Sequence, residues 1–126
     1  MEHEKDFCTG EIVDLDVKGY KKGEFKYKPT TAGEENEWLS DYMEIDDKGK
    51  AKQNFSKLNK LKLNNLAAVP YDQALIKKMI NVDKEWSELN IDERWNLLGK
   101  LKGLVFDLIL NAINKVDRGD NSAKKG

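Results

Sequence analysis

Residues able to do chemistry are few in this chain of 126 residues, and their spacing is unfavourable. Cys8 is the single cysteine, so no intramolecular disulfide can form, and His3, the single histidine, stands near the start. One Cys and one His are too few for a Cys/His zinc site and argue against nucleophilic catalysis by a Cys–His or Ser–His pair. Asp14 and Asp16 are two apart, which on a strand places both carboxylates on one face. Such a pair holds a hard cation only with further oxygen ligands, and shares a proton only in a sheltered cleft; the neighbouring sequence offers neither. Asp46, Asp47 and Gly49 look like part of a calcium loop, but the fixed spacing to a terminal Glu is missing. The nine glycines form neither GxGxxG nor GxxxxGK(S/T), so no phosphate-cradling loop is expected. Arg118-Gly119-Asp120 is read as a chance string. The expectation is a chain with no enzymatic activity, no metal and no cofactor.

Charge is the next candidate for function. The net charge is -1, which excludes a uniformly basic nucleic-acid binder and a strongly acidic tail protein. The two parts of the chain differ: residues 1–50 are acid-rich and residues 51–126 are base-rich, which predicts opposed charged surfaces. No acid interrupts the stretch from Lys48 to Tyr71, which carries Lys48, Lys50, Lys52, Lys57, Lys60 and Lys62. Clustered cations bind phosphates, so Lys57, Lys60 and Lys62 are the candidate nucleic-acid contacts. The stretch has no Arg and one internal aromatic, Phe55, and a solvated helix or strand face accounts for it as well.

The elements that must position these residues follow from periodicity. Glu11–Val17 alternates on a period of two, with Val13, Leu15 and Val17 on one face, and Glu24–Lys28 repeats the pattern with Phe25 and Tyr27. Gly19 and Gly23 lie between them, so a β-hairpin is expected over about residues 11–28. After Pro29 a helix is expected. Glu34, Glu35 and Glu37 favour its positive N-terminal end, Trp38, Leu39, Tyr42 and Met43 make a core-facing stripe, and Gly49 stands near the C-cap. Asn54 is a plausible N-cap for a short helix holding Phe55 and Leu58, but Leu61 and Leu63 alternate with Lys60 and Lys62, so helix and strand both remain open over residues 54–69. A short helix is expected at 71–80 with Leu75 and Met79 inward, then a loop pinned by Trp86 and Leu89. Asn90 and Glu93 stand at capping-box spacing ahead of Trp95, Leu98 and Leu101, and Gly103 breaks the run. Leu104, Val105, Leu108, Ile109, Ala112, Ile113 and Val116 then form a wide apolar face.

Three segments together carry a resemblance: GYKKGEFKYKPTTAGEENEWLSDYM, KLNKLKLNNLAAVP and INVDKEWSELNIDERWNLLGKLKGLVFDLILNAI. Over roughly residues 19–113 the chain resembles small tail-assembly proteins of long-tailed phages and proviruses. The pattern shared with that group places Trp86, Leu89, Glu93, Arg94, Leu97, Leu98 and Leu101 in the closing helices. The resemblance implies a non-enzymatic chaperone for the tape-measure protein, or a minor virion component, and supplies no individually matched binding residues. The main alternative is a small nucleic-acid-binding regulator using the Lys48–Lys62 stretch; a small host adaptor or antitoxin-like inhibitor is a third.

The expected fold class is α+β, an N-terminal β-hairpin followed by a mainly helical C-terminal part. One domain is expected over residues 11–116, flanked by a disordered N-terminus (1–10) and a disordered tail (117–126). Protein interaction is expected through Leu104, Val105, Leu108, Ile109 and Ile113, with a tape-measure or other tail protein and between copies of the chain; the other reading of that face is core. The stretch 104–116 is too short and too polar to span a membrane, and MEHEKDFCTG has no apolar signal segment, so a cytoplasmic protein is expected, in the host cell if viral.

Overall fold

The alternating front segment folds as its period requires. Strands β1 (Val13–Asp14) and β2 (Lys26–Tyr27) pair antiparallel, Val13 opposite Tyr27 and Asp14 opposite Lys26. The pairing continues into the connection, where Leu15 N–H donates to the Phe25 carbonyl at 2.9 Å. Gly19 and Gly23, at φ +91° and +95°, turn the connection where a side chain would strain it. The computed structural model describes residues 10–118 and, within them, every side chain except those at 39–42, 53 and 55. His3 and Cys8 lie outside the described residues, as do residues 1–9 and 119–126 of the expected disordered ends (1–10 and 117–126).

Helix α1 (Ala32–Tyr42) starts at a capping box: Glu34 N–H donates to Thr31 Oγ1 at 3.1 Å, and Thr31 N–H donates to Glu34 Oε1 at 3.0 Å. It does not run on to a cap at Gly49. Strands β3 (Met43–Ile45) and β4 (Ala51–Gln53) follow, pairing Met43 with Gln53 and Ile45 with Ala51. Asp46 decides this local outcome: its Oδ1 accepts from the backbone of Lys48 and Lys50, both at 2.9 Å, closing a tight turn that includes Gly49. The Asp/Gly signal was therefore a hairpin turn and not a helix stop.

The open choice at residues 54–69 resolves into a helix and then a strand. Asn54 caps helix α2 (Phe55–Leu63), its Oδ1 accepting from Lys57 N–H at 3.1 Å. Strand β5 (Leu66–Ala68) then adds to β2, giving a three-stranded sheet in the order β1-β2-β5. Leu66 faces Tyr27 and Ala68 faces Lys26, so Ala67 bulges without a partner of its own.

Helix α3 (Gln73–Ile80) is capped by Asp72 and stopped by Asn81 in the left-handed region. Its phase differs from expectation. Ile76 is fully buried, whereas Leu75 and Met79 are 39% and 37% exposed. The pairs Leu75/Met79 and Ile76/Ile80 have the same spacing, and packing of α3 against the next helix selects the second. A 3-10 turn (Trp86–Glu88) leads to helix α4 (Ile91–Leu98), which carries the expected Asn90/Glu93 capping box, with bonds of 2.8 and 2.9 Å. Helix α5 (Gly103–Arg118) closes the described chain, passing the expected domain end at Val116 by two residues.

The protein is α+β, with more helix than strand. Its core joins Leu15, Val17, Phe25 and Tyr27 of the hairpin to Leu63 and Leu66, then to Ile76, Trp86, Leu89, Leu97 and Leu98, and to Ile109, Ala112 and Ile113 of α5. Edge-on aromatic contacts run from Tyr20 to Phe25 at 5.0 Å and from Phe25 to Tyr71 at 6.0 Å. None of the described apolar side chains between Pro29 and Leu61 belongs to this cluster. Trp38 and Met43, expected in the core, are half-buried outside it, while Leu39 and Tyr42 of the same stripe fall among the side chains not described. The segment α1–β3–β4 thus forms an arm packed on α2.

Candidate interaction site

The apolar positions of α5 separate by burial. Ile109 and Ile113 are fully buried, and Ala112 nearly so. They contribute to folding and cannot touch a partner while the domain is folded. Leu104 is 71% exposed, and Val105 and Leu108 are half-buried. Of the expected interaction set, Leu104 is open to solvent and Val105 and Leu108 reach it in part.

The three candidate nucleic-acid lysines each face a carboxylate. Lys57 Nζ lies 3.3 Å from Glu44, Lys60 Nζ 2.6 Å from Asp92, and Lys62 Nζ 3.1 Å from Asp117. Glu44 also accepts from Asn54 Nδ2 at 3.1 Å, and these bonds to Asn54 and Lys57 hold its carboxyl below the usual range. Lys62 is buried in a polar cluster. Asp117 accepts from the Tyr27 hydroxyl at 2.9 Å and from Thr30 N–H at 3.0 Å, and Lys62 also reaches Asn114 at 3.3 Å. Burial, with the Asp117 carboxylate beside it, pushes the Tyr27 hydroxyl well above the ordinary tyrosine range, so it remains a donor. The cluster fastens β2, α2 and the end of α5 together. Asp14, one of the paired front carboxylates, accepts from Lys26 Nζ at 2.7 Å, and that bond lowers its pKa.

A second polar joint gathers around Trp86 and Arg94. Trp86 Nε1 donates to the Leu66 carbonyl at 2.8 Å. Arg94 lies over the same indole, 4.6 Å from the ring centroid, and donates to the carbonyls of Asn64 at 2.7 Å and Trp86 at 3.1 Å. Desolvation lowers the Arg94 pKa from the usual arginine value. Glu93 caps α4 while Leu89, Leu97 and Leu98 fill the core. These residues therefore serve as scaffold: they seat the 3-10 turn on β5.

That seating creates a groove of about 260 Å3. One side is the outer edge of β5, at Ala67 and Ala68; the others are the head of α3, at Asp72 and Gln73, and the 3-10 turn, at Trp86 and Ser87. Asp72 and Glu85 are among its lining residues, and no Lys, Arg or His is. Sequence reasoning missed the groove because its parts come from residues 67–73 and 85–87, brought together by tertiary bonds such as Trp86–Leu66 and Gln73–Asp83. The Trp itself, expected to pin a loop, was the available signal.

Among the described residues, no group of three or more His, Cys, Asp or Glu is placed to hold a metal ion, and no helix is long and apolar enough to cross a membrane. No protein-family model, curated protein or solved structure matches the chain.

Proposed function

We propose that the chain is a non-enzymatic tail-assembly protein of a long-tailed phage or provirus, acting in the host cytoplasm through protein–protein contacts, as a chaperone for the tape-measure protein or a minor virion component. The observation that supports this reading is the α1–β3–β4 arm. It carries apolar side chains, yet its described residues add nothing to the core, and Ile45 at the end of β3 is 75% exposed. A two-stranded ribbon is marginal by itself, so an apolar residue displayed on one gains a rationale from a partner. A tape-measure rod presents apolar helical stripes, and an amphipathic holder covers such stripes until assembly. Leu104, at the head of α5, is a second exposed apolar position for contact with the partner or with another copy of the chain.

Co-expression with the tape-measure protein of the same phage or provirus tests the reading. The two chains should co-purify, and Ile45→Asp should reduce recovery of the complex while leaving the chain folded. A tape-measure protein equally soluble with and without this chain would overturn it. The nucleic-acid alternative gains no comparable support, because its three candidate lysines are engaged with carboxylates.

A further inference from the structure

We propose that the groove between β5, the head of α3 and the 3-10 turn receives an arginine or lysine side chain of a partner protein. The inference stands apart from the tail-assembly reading and uses none of the arm.

Size sets the first limit. About 260 Å3 lies below the roughly 300–1,000 Å3 of sites that enclose drug-sized molecules, so the space suits one long side chain better than a cofactor. The surface sets the second. Ala67, Ala68, Val69 and the Trp86 indole offer an apolar wall that would pack against an aliphatic stem. Asp72 and Glu85 line the same groove and bring it two acids. A third acid, Asp83, holds Gln73 Nε2 at 2.7 Å beside them.

Two neighbouring cations are engaged elsewhere. Lys84 pairs with Glu93 at 3.3 Å, and Arg94 is held by the carbonyls of Asn64 and Trp86. Among the described residues, no cation forms an ion pair with Asp72 or Glu85. Asp72 Oδ1 accepts from Leu75 N–H at 2.9 Å, and its other oxygen remains able to accept. The N-terminus of α3 carries about half a positive charge, which two carboxylates outweigh. Apolar residues beside two acids that pair with no described cation are complementary to a guanidinium or ammonium on a carbon stem.

The geometry also says how the partner does not bind. A segment adding to β5 as a further strand would need a regular row of free backbone groups. Ala67 bulges, the Leu66 carbonyl is already taken by Trp86, and Pro70 follows closely, all of which blunt the edge. Recognition therefore rests on one side chain inserted into the groove.

The test is a 15N NMR titration of the full chain with the blocked peptide acetyl-Gly-Leu-Arg-Leu-Gly-amide. The amides of Ala67, Ala68 and Ser87 and the Trp86 indole N–H should shift together and saturate. The same peptide with citrulline in place of arginine, which keeps the shape and removes the charge, should bind weaker by about tenfold or more. The double variant Asp72→Asn/Glu85→Gln should show the same loss. Asn caps a helix as well as Asp does, and Glu85 forms a capping box with Glu88, its side chain accepting from the Glu88 backbone and its own N–H donating to Glu88 Oε1 at 3.0 Å; Gln at 85 keeps both groups, so the fold should persist with unchanged spectral dispersion. Ala68→Leu, which fills the groove and leaves both acids, should block binding independently. Equal affinity for the citrulline peptide, unaltered binding by the double variant, or shifts confined to other surfaces would overturn the proposal. So would concentration-dependent groove shifts without peptide, which would assign the groove to a second copy of the chain.

Discussion

The Lys62 ammonium and the Asp117 carboxylate lie 3.1 Å apart with their side chains only 10% and 9% exposed, joining the end of α2 to the last turn of α5. Removing one member of a buried pair leaves an uncompensated charge, which typically costs about 3–5 kcal/mol. Asp117→Ala would also strip the Tyr27 hydroxyl and Thr30 N–H of their acceptor. Urea unfolding should show a loss in that range, and adding Lys62→Met to the Asp117→Ala variant should recover part of it. Equal stability of wild type and Asp117→Ala would show that the cluster contributes nothing.

Ile109 and Leu104 share a helix but not an environment. Ile109 is fully buried, so Ile109→Ala should destabilise by about 2–5 kcal/mol and Ile109→Glu should unfold the chain. Leu104 is 71% exposed, and Leu104→Ala should change stability by less than about 0.5 kcal/mol. If sedimentation finds oligomers, Leu104→Glu should weaken them without loss of helical circular dichroism.

Trp86→Phe keeps a ring and deletes the N–H that serves the Leu66 carbonyl. A buried carbonyl left without its donor costs about 1–3 kcal/mol, with a further contribution from the weaker cation contact to Arg94. The Trp86 indole N–H resonance should exchange slowly in the wild type, and thermal denaturation of Trp86→Phe should begin at a lower temperature. An unchanged midpoint would show that this bond is incidental.

Acid should weaken the cap of α4. The backbone N–H of Asn90, reinforced by Lys84, holds the Glu93 carboxyl below its ordinary value of 4.5. A folded value below the unfolded one means that Glu93 stabilises the fold above pH 4.5, and that this contribution disappears as pH falls through the lowered folded value. Glu93→Gln keeps a neutral acceptor. Its deficit in melting temperature relative to wild type should therefore be largest near neutrality and close as the solution is acidified. A constant deficit across that range would exclude the carboxylate as its source.

Nucleic-acid binding through the lysine stretch should be weak or absent. Lys57→Glu/Lys60→Glu is the informative variant, since Lys62 is buried and its replacement would perturb folding. A wild-type gel shift that falls steeply with salt and disappears in this variant would reinstate the regulator reading.

Local hydrogen bonding and period were legible in the sequence by themselves. The alternation of Val13, Leu15 and Val17 against Phe25 and Tyr27 predicted the hairpin, the Asn90/Glu93 pair predicted a helix start, and Asn54 marked a second one where helix and strand were both open. These rest on groups a few residues apart or on side-chain alternation, so neighbouring sequence largely determines them. The tertiary structure alone decided matters in which two local answers were equally good. Leu75/Met79 and Ile76/Ile80 have identical helical spacing, and packing against α4 turned the second pair inward. The Asp46–Gly49 signal suits a helix stop or a hairpin turn, and pairing of Met43–Ile45 with Ala51–Gln53 selected the turn. Lys62 reads like its neighbouring lysines until Asp117, fifty-five positions along the chain, reaches it. The groove likewise has no local signature, because a side chain's partner across such distances is set by how elements pack, and that depends on the burial of the whole core at once.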